Sequence, residues 1–229
     1  MWEVSKGHPK CLQEVGGRAL IEHQLESLEM VSIRSVCLVV GHRASAIRHH
    51  LRWVSGCRFI ENEIYAETNS LYSLWLARET VQGPFLILNG DVIAHREVYR
   101  RLLAHEGTCL AFDSSSRGDD EQMRVSFDGS RLRRISKLLS RAETDGENIG
   151  MLKISAEVSA RFFEVVGHLA ATPEGRTLWA PAALDYLAAE VPITGVDVSD
   201  LPWAEIDLPE DLYHAKTEIL PRLGFEATA

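Results

Sequence analysis

The chain reads as an α/β protein with a mostly parallel sheet and helices on both faces. Three observations predict this. Short apolar runs alternate with helix-spaced patterns through the first half. One run, Phe85-Leu86-Ile87-Leu88, stops at Asn89-Gly90 and is followed at once by Asp91, as when a buried strand delivers a carboxylate to the ligand-binding edge of an open sheet. A chain of 229 residues, 45% hydrophobic, is also long enough to bury one large core.

The elements follow in order. Residues 35–40 (SVCLVV) form a buried strand, and Gly41 opens a helix over 44–51; residues 58–61 are a shorter strand. Residues 69–79 carry Leu71, Leu74, Trp75 and Arg78 at helical spacing behind Asn69, a good N-cap. Strand 85–88, helix 96–105 and strand 108–112 complete a βαβαβ rhythm. The pattern then changes: 122–127, an Asp128-Gly129 turn and 131–137 read as an antiparallel hairpin. A strand at 149–154, helices over 157–168 and 181–190, a strand at 193–198, a short strand into Ile206 and a helix over 209–219 close the chain. The polar stretches 113–121 and 140–147 read as mobile loops that could act as lids. The first ten residues hold at most a short apolar stub.

The net charge of −9 has no concentrated basic block, which argues against nucleic acid as a partner. A small anionic substrate in a local cationic pocket stays compatible. Cys11, Cys37, Cys57 and Cys109 are scattered, as expected of reduced thiols in a cytoplasmic protein. No apolar run approaches transmembrane length, so no membrane partner is expected. The nine histidines show no metal-ligand spacing, and no nucleophile elbow or Cys/His pair is present. A second acidic cluster, 203–211 (WAEIDLPED), lies far from Asp91; the two together suggest one Mg²⁺ centre assembled by folding.

Several segments taken in order carry a family resemblance: His8-Pro9-Lys10-Cys11-Leu12 with Gly16-Gly17 and Leu20-Ile21-Glu22-His23; Glu61-Asn62 with Tyr65, Thr68-Asn69 and Tyr72-Ser73-Leu74; Leu88-Asn89-Gly90-Asp91; Met123-Arg124-Val125 with Ile135-Ser136-Lys137; Glu147-Asn148-Ile149-Gly150; and 203–215. The chain resembles the nucleotidyltransferase superfamily, most closely its phosphocholine cytidylyltransferase-like members. That resemblance implies a Rossmann-like α/β/α sandwich with a mixed, mostly parallel sheet and a small hairpin lobe (122–150) within a single domain (1–229). It also implies a reaction joining a nucleoside triphosphate to a phosphorylated small molecule. The family's first strand and Gly-rich loop are absent; Met1 aligns just after that loop's arginine, so the chain is expected to be a truncated start or a natural variant without the cradle. The absent strand would lie between 35–40 and 85–88. Each unpaired backbone group left there costs on the order of 1–3 kcal/mol. The gap is expected to lower stability or to be filled by another segment or subunit, a homo-oligomer being compatible.

The resemblance assigns roles, each beside a structural alternative. Asp91 and Asp207 are metal ligands, or Asp91 a turn residue and Asp207 part of a helix start with Pro209 in its first turn. Glu205, pointing the opposite way on its strand, reads as a supporting or salt-bridging residue. Lys10 faces the triphosphate or the transition-state charge, or is solvated like most lone lysines. Lys137 grips the acceptor's phosphate, or is an exposed strand-end charge beside Arg131, Arg133 and Arg134. Thr68 and Asn69 read the base, with Ser73 one turn on and Asn89 at the strand end; Asn69 serves equally as a plain N-cap. Trp179, Tyr186 and Trp203 could hold a quaternary ammonium by cation–π attraction, or simply pack. Only Trp179 remains of an aromatic pair the family often carries, with Ala180-Pro181 after it, which leaves phospho-alcohols other than phosphocholine, and aminophosphonates, open. The expected function is Mg²⁺-dependent transfer from CTP to a phosphorylated small alcohol such as phosphocholine, with pyrophosphate released. The rivals are a GT-A-like glycosyltransferase and a non-catalytic relic of the fold.

Overall fold

The structure, a computed structural model, describes residues 7–116 and 122–224. After a 3-10 turn at Lys10–Leu12, a two-residue hairpin (β1, Glu14–Val15; β2, Arg18–Ala19) closes over Gly16 and Gly17, both at positive φ. Helix α1 (Leu20–Met30), strand β3 (Val36–Val40), helix α2 (Ala44–His50), strand β4 (Cys57–Glu61) and helix α3 (Ser70–Ala77) follow. Next come β5 (Phe85–Leu88), β6 (Val92–Ala94), α4 (Arg96–Ala104), β7 (Cys109–Asp113) and the hairpin β8 (Arg124–Asp128) and β9 (Arg131–Ser136). The chain ends with β10 (Gly146–Ile154), α5 (Ala156–Ala170), α6 (Pro173–Arg176), α7 (Pro181–Leu187), β11 (Thr194–Asp197), β12 (Trp203–Glu205) and α8 (Pro209–His214), which runs into a π turn at Ala215–Ile219.

The main sheet has the order β5-β10-β7-β11-β9-β8. Strand β10 is antiparallel to β5, β7 and β8, and β9 is antiparallel to β11 and β8, while β11 is parallel to β7; β5, β7, β8 and β11 therefore share one direction, and β9 and β10 run against them. Side-chain alternation splits the core between the two faces. Leu110, Leu152 and Ile154 pack with Phe162 and Leu184 on one side, and Cys109, Ala111, Ile149 and Met151 with Val98 and Leu102 on the other. The hairpin is stitched to the rest at both edges, β9 to β11 and β8 to the first residues of β10.

Strands β3 and β4 pair in parallel as a separate two-stranded sheet. Among the described residues, β3 bonds only β4 and β5 only β10, so each presents one unpaired edge. A cavity of about 1340 Å³ opens between them, lined by all of β3 and β5, by Ile21, Leu25 and Leu28 of α1 and by Leu74 and Ala77 of α3. It lies where a further strand is expected, between 35–40 and 85–88. The expectation of a stub at the chain start rests in part on residues 1–6, outside the described ones.

The reading of 140–147 as a loop is corrected at its end: 140–145 are turn and irregular backbone. Gly146 and Glu147 belong to β10, and Glu147 is only 2% exposed. Its neighbours explain this: it lies in register with Asp113 and Arg124, and Ser116 Oγ donates to its Oε2 at 2.5 Å. Asp113, read as the start of the other loop, ends β7, and residues 117–121 of that loop lie outside the described ones.

Candidate functional site

Asp91 sits past the end of β5 on a turn that other elements hold from three sides. Asn89 N–H donates to Gly150 O at 2.9 Å, and Ile206 N–H donates to Asp91 O at 2.9 Å. The Gln24 amide, buried on α1, donates to Asn89 O at 2.7 Å and to Val92 O at 2.8 Å, bracketing Gly90-Asp91. Gly150, at φ +74°, lies so close that a Cβ there would meet Asn89 Nδ2 at 2.5 Å. Only glycine combines that backbone with that approach.

Antiparallel pairing of β12 with β6 sets Glu205 opposite Val92 and so brings Asp207 beside Asp91. The start of α8 is served by Asp211, whose Oδ2 accepts from the Asp207 and Leu208 N–H groups at 2.9 and 2.7 Å. The Asp207 carboxylate therefore faces the cavity. Lys10 Nζ lies 3.5 Å from Asp91 Oδ2 and is ion-paired with Asp207 Oδ1, so one ammonium bridges the two carboxylates. Burial pushes the Asp91 carboxyl above its usual range, with the Lys10 charge opposing and the Asp207 charge adding to the rise. Burial lowers the Lys10 pKa, but its bonds and charge pairing with the two aspartates win, and the net shift is upward.

Glu205, read from the sequence as a supporting or salt-bridging residue, belongs to the site itself. It lines the same cavity, and burial, reinforced by the charges of Asp91, Asp207 and Glu147, pushes it up to about 7. The expectation that it points the opposite way is corrected: residues two apart on an extended chain share a face, so Glu205 and Asp207 line the same cavity.

The remaining candidates are distributed around the opening. Asn89, Ser73, Lys137, Trp179 and Trp203 line the cavity; Thr68, Asn69 and Tyr186 do not. Asn69 caps α3, its Oδ1 accepting from Ser70 N–H at 2.8 Å. Thr68 Oγ1 donates to Ile64 O at 3.0 Å and accepts from Asn62 Nδ2, also at 3.0 Å. Ser70, not anticipated, lines the cavity and accepts from Ala180 N–H at 2.7 Å. Lys137 Nζ sits 4.7 Å from the Trp179 ring centroid, and Trp203 Nε1 donates to Asp113 Oδ2 at 2.9 Å.

The profile of the MobA-like NTP transferase domain family matches residues 5–172. The chain belongs to that family. This NTP transferase domain is 29% identical over 250 aligned residues to the CMP-5'-(3-aminopropyl)phosphonate synthase of Streptomyces rubellomurinus, covering 96% of the chain and 37% of that protein. It is 31% identical over 97 residues to the choline-phosphate cytidylyltransferase of Streptococcus pneumoniae, 42% of each. The chain thus spans less than half the length of either relative in these alignments. The inositol-1-phosphate CTP transferase from T. maritima superposes with a TM-score of 0.82 at 17% identity, covering 100% of this chain and 93% of that one, which shows a shared Rossmann-like nucleotidyltransferase fold. No helix among the described residues is long and apolar enough to cross a membrane.

As a donor set, Asp91 and Asp207 suit a hard divalent cation. Among the described residues no three His, Cys, Asp or Glu side chains cluster to hold a metal by themselves. Mg²⁺ is commonly held by one or two carboxylates together with substrate phosphates and water, so a pair fits it.

Proposed function

We propose that the chain transfers a cytidylyl group from CTP to a small molecule bearing a phosphate or phosphonate, releasing pyrophosphate. An acceptor oxygen forms a bond to the α-phosphorus as the bond from that phosphorus to the β-phosphate oxygen breaks, and pyrophosphate leaves with the electron pair. The observation that carries the reading is the Lys10 ammonium bridging Asp91 and Asp207 at the end of β5. Two carboxylates drawn around one positive charge are a place where a divalent cation could sit, and such a cation would supply the neutralisation a polyphosphate needs.

A Mg²⁺ held by Asp91 and Asp207 would supply Lewis-acid stabilisation of charge on the triphosphate oxygens. Lys10 already stands between these carboxylates, within reach of an anion placed there. Lys137, across the opening, balances the acceptor's anionic end. Ser70 and Ser73, at the start of α3, offer hydroxyls for the nucleotide, with Thr68 and Asn69 shaping the turn behind them. Trp203 walls the acceptor side. Phosphocholine, inositol 1-phosphate and an aminoalkylphosphonate are the acceptors to try first. The four free thiols suit the cytoplasm, where CTP is made.

The test is pyrophosphate release with CTP and these acceptors in the presence of Mg²⁺. Release is expected, with Asp91→Ala lowering it at least about a hundredfold, as for removal of a principal electrostatic group. Full activity in Asp91→Ala would refute the metal role. Turnover of a finished sugar nucleotide without pyrophosphate would favour a glycosyltransferase instead.

A further inference from the structure

We infer that Trp179 is a positioning residue for Lys137, and that it serves the phosphorus oxyanion of every acceptor rather than the cationic head of one. The inference rests on the reading above. The face of the indole is already taken: the Lys137 ammonium lies 4.7 Å from its centroid, inside the roughly 6 Å range of a cation–π contact.

Both partners are carried on fixed backbone. On one side, buried Arg124 donates from Nη1 to Leu139 O at 2.6 Å, and Leu138 N–H donates to Ser136 Oγ at 3.1 Å, which sets the path of the chain through Lys137. On the other, Leu71 N–H donates to Leu178 O at 3.2 Å and Ala180 N–H to Ser70 Oγ, tying Trp179 to the start of α3. Asp185 of α7 accepts from Ile135 N–H at 2.8 Å and pairs with Arg134, joining the two sides. The contact is therefore built into the junction of β9 and α7.

A lysine loses much rotamer freedom when it grips an anion. The indole removes part of that freedom beforehand and leaves the ammonium at the cavity wall, where the acceptor's phosphate or phosphonate would arrive. A quaternary ammonium would have to displace Lys137 to reach the same face. The acceptor class is accordingly defined by a tetrahedral oxyanion, and Trp179 does not read the head group.

A matched pair of acceptors decides this: phosphocholine and its neutral isostere 3,3-dimethylbutyl phosphate, in which carbon replaces the quaternary nitrogen. Trp179→Leu should raise KM for both by a similar factor, about two- to fivefold for a contact of this exposure, with kcat little changed. In a Lys137→Gln background the same substitution should add almost nothing. A KM rise confined to phosphocholine, or full additivity of the two substitutions, overturns the inference. If neither acceptor turns over, the proposed function fails, and the contact is judged by NMR. The Lys137 ε-methylene protons should lie upfield under the indole ring current and return to the ordinary lysine position in Trp179→Leu. An ordinary position in the parent protein overturns the inference independently of activity.

Discussion

Gln24→Leu removes the two donors that bracket Asp91 while keeping the side chain's approximate volume. Gln24 is 5% exposed, and its amide satisfies Asn89 O at 2.7 Å and Val92 O at 2.8 Å. Leaving a buried carbonyl without its donor costs on the order of 1–3 kcal/mol each. The added apolar surface of leucine returns about 1–2 kcal/mol. The balance is a loss of roughly 1–4 kcal/mol, or about 2–16 °C in Tm for a chain of this length.

The consequence for the site should exceed the consequence for the fold. With the turn loosened, Asp91 no longer arrives at a fixed distance from Asp207 and Lys10, so the Mg²⁺ concentration for half-maximal pyrophosphate release should rise. Urea unfolding followed by tryptophan fluorescence gives the first quantity, and a Mg²⁺ titration of the assay gives the second. A variant that melts with the parent and keeps its metal requirement would show that the glutamine does not hold the turn.

Three further outcomes follow from the same structure. Glu205, raised to about 7 in the folded state, is favourable to folding while neutral; that contribution is whole below about pH 4 and is lost as pH climbs through 7. Glu205→Gln should therefore raise the urea midpoint, measured without metal, more at about pH 8 than at about pH 5; an equal gain at both would contradict the burial of its charge. Cys37 on β3 lines the open slot, whereas Cys109 is fully buried, so a small maleimide should modify Cys37 well before Cys109 by peptide mass mapping. Burial holds the Cys37 thiol above its ordinary pKa, so mildly alkaline buffer is needed; equal protection of the two would mean the slot is filled. The unpaired edges of β3 and β5 should make the isolated monomer melt early, and a cooperative, high-temperature melt by calorimetry would count against an empty slot.

What was legible in the sequence was whatever local pattern encodes. Phe85–Leu88 with Asn89-Gly90-Asp91 announces a strand end bearing an acid, and the hairpin follows from Asp128-Gly129 between two runs with apolar spacing. Asn69 announces the cap of α3. The less legible parts depend on what the fold brings close. Gln24 lies on an amphipathic helix and carries no local sign that its amide will meet a turn far along the chain. Val92–Ala94 follows Asp91 without punctuation, so no local pattern announces β6 or the pairing that sets Glu205 at the cavity. Glu147 looked like loop because a carboxylate is rarely buried; Ser116 and the β10 register bury it.

The charge around the opening bears on how the nucleotide must arrive. Asp91, Glu147, Glu205, Asp207 and Asp211 line the cavity against Lys10, Arg58 and Lys137, an acidic surplus where two anionic substrates are proposed to meet. Such a surface repels bare triphosphate; the Glu205 carboxyl, raised first by burial, is raised further by the same crowding of negative charge. Lys10 cannot relieve it alone, because its single charge is already shared by two carboxylates. The arrangement becomes attractive only if the triphosphate brings a divalent cation of its own. The carboxylate surplus that would defeat a simple anion pocket is thus the feature that fits a metal–nucleotide complex.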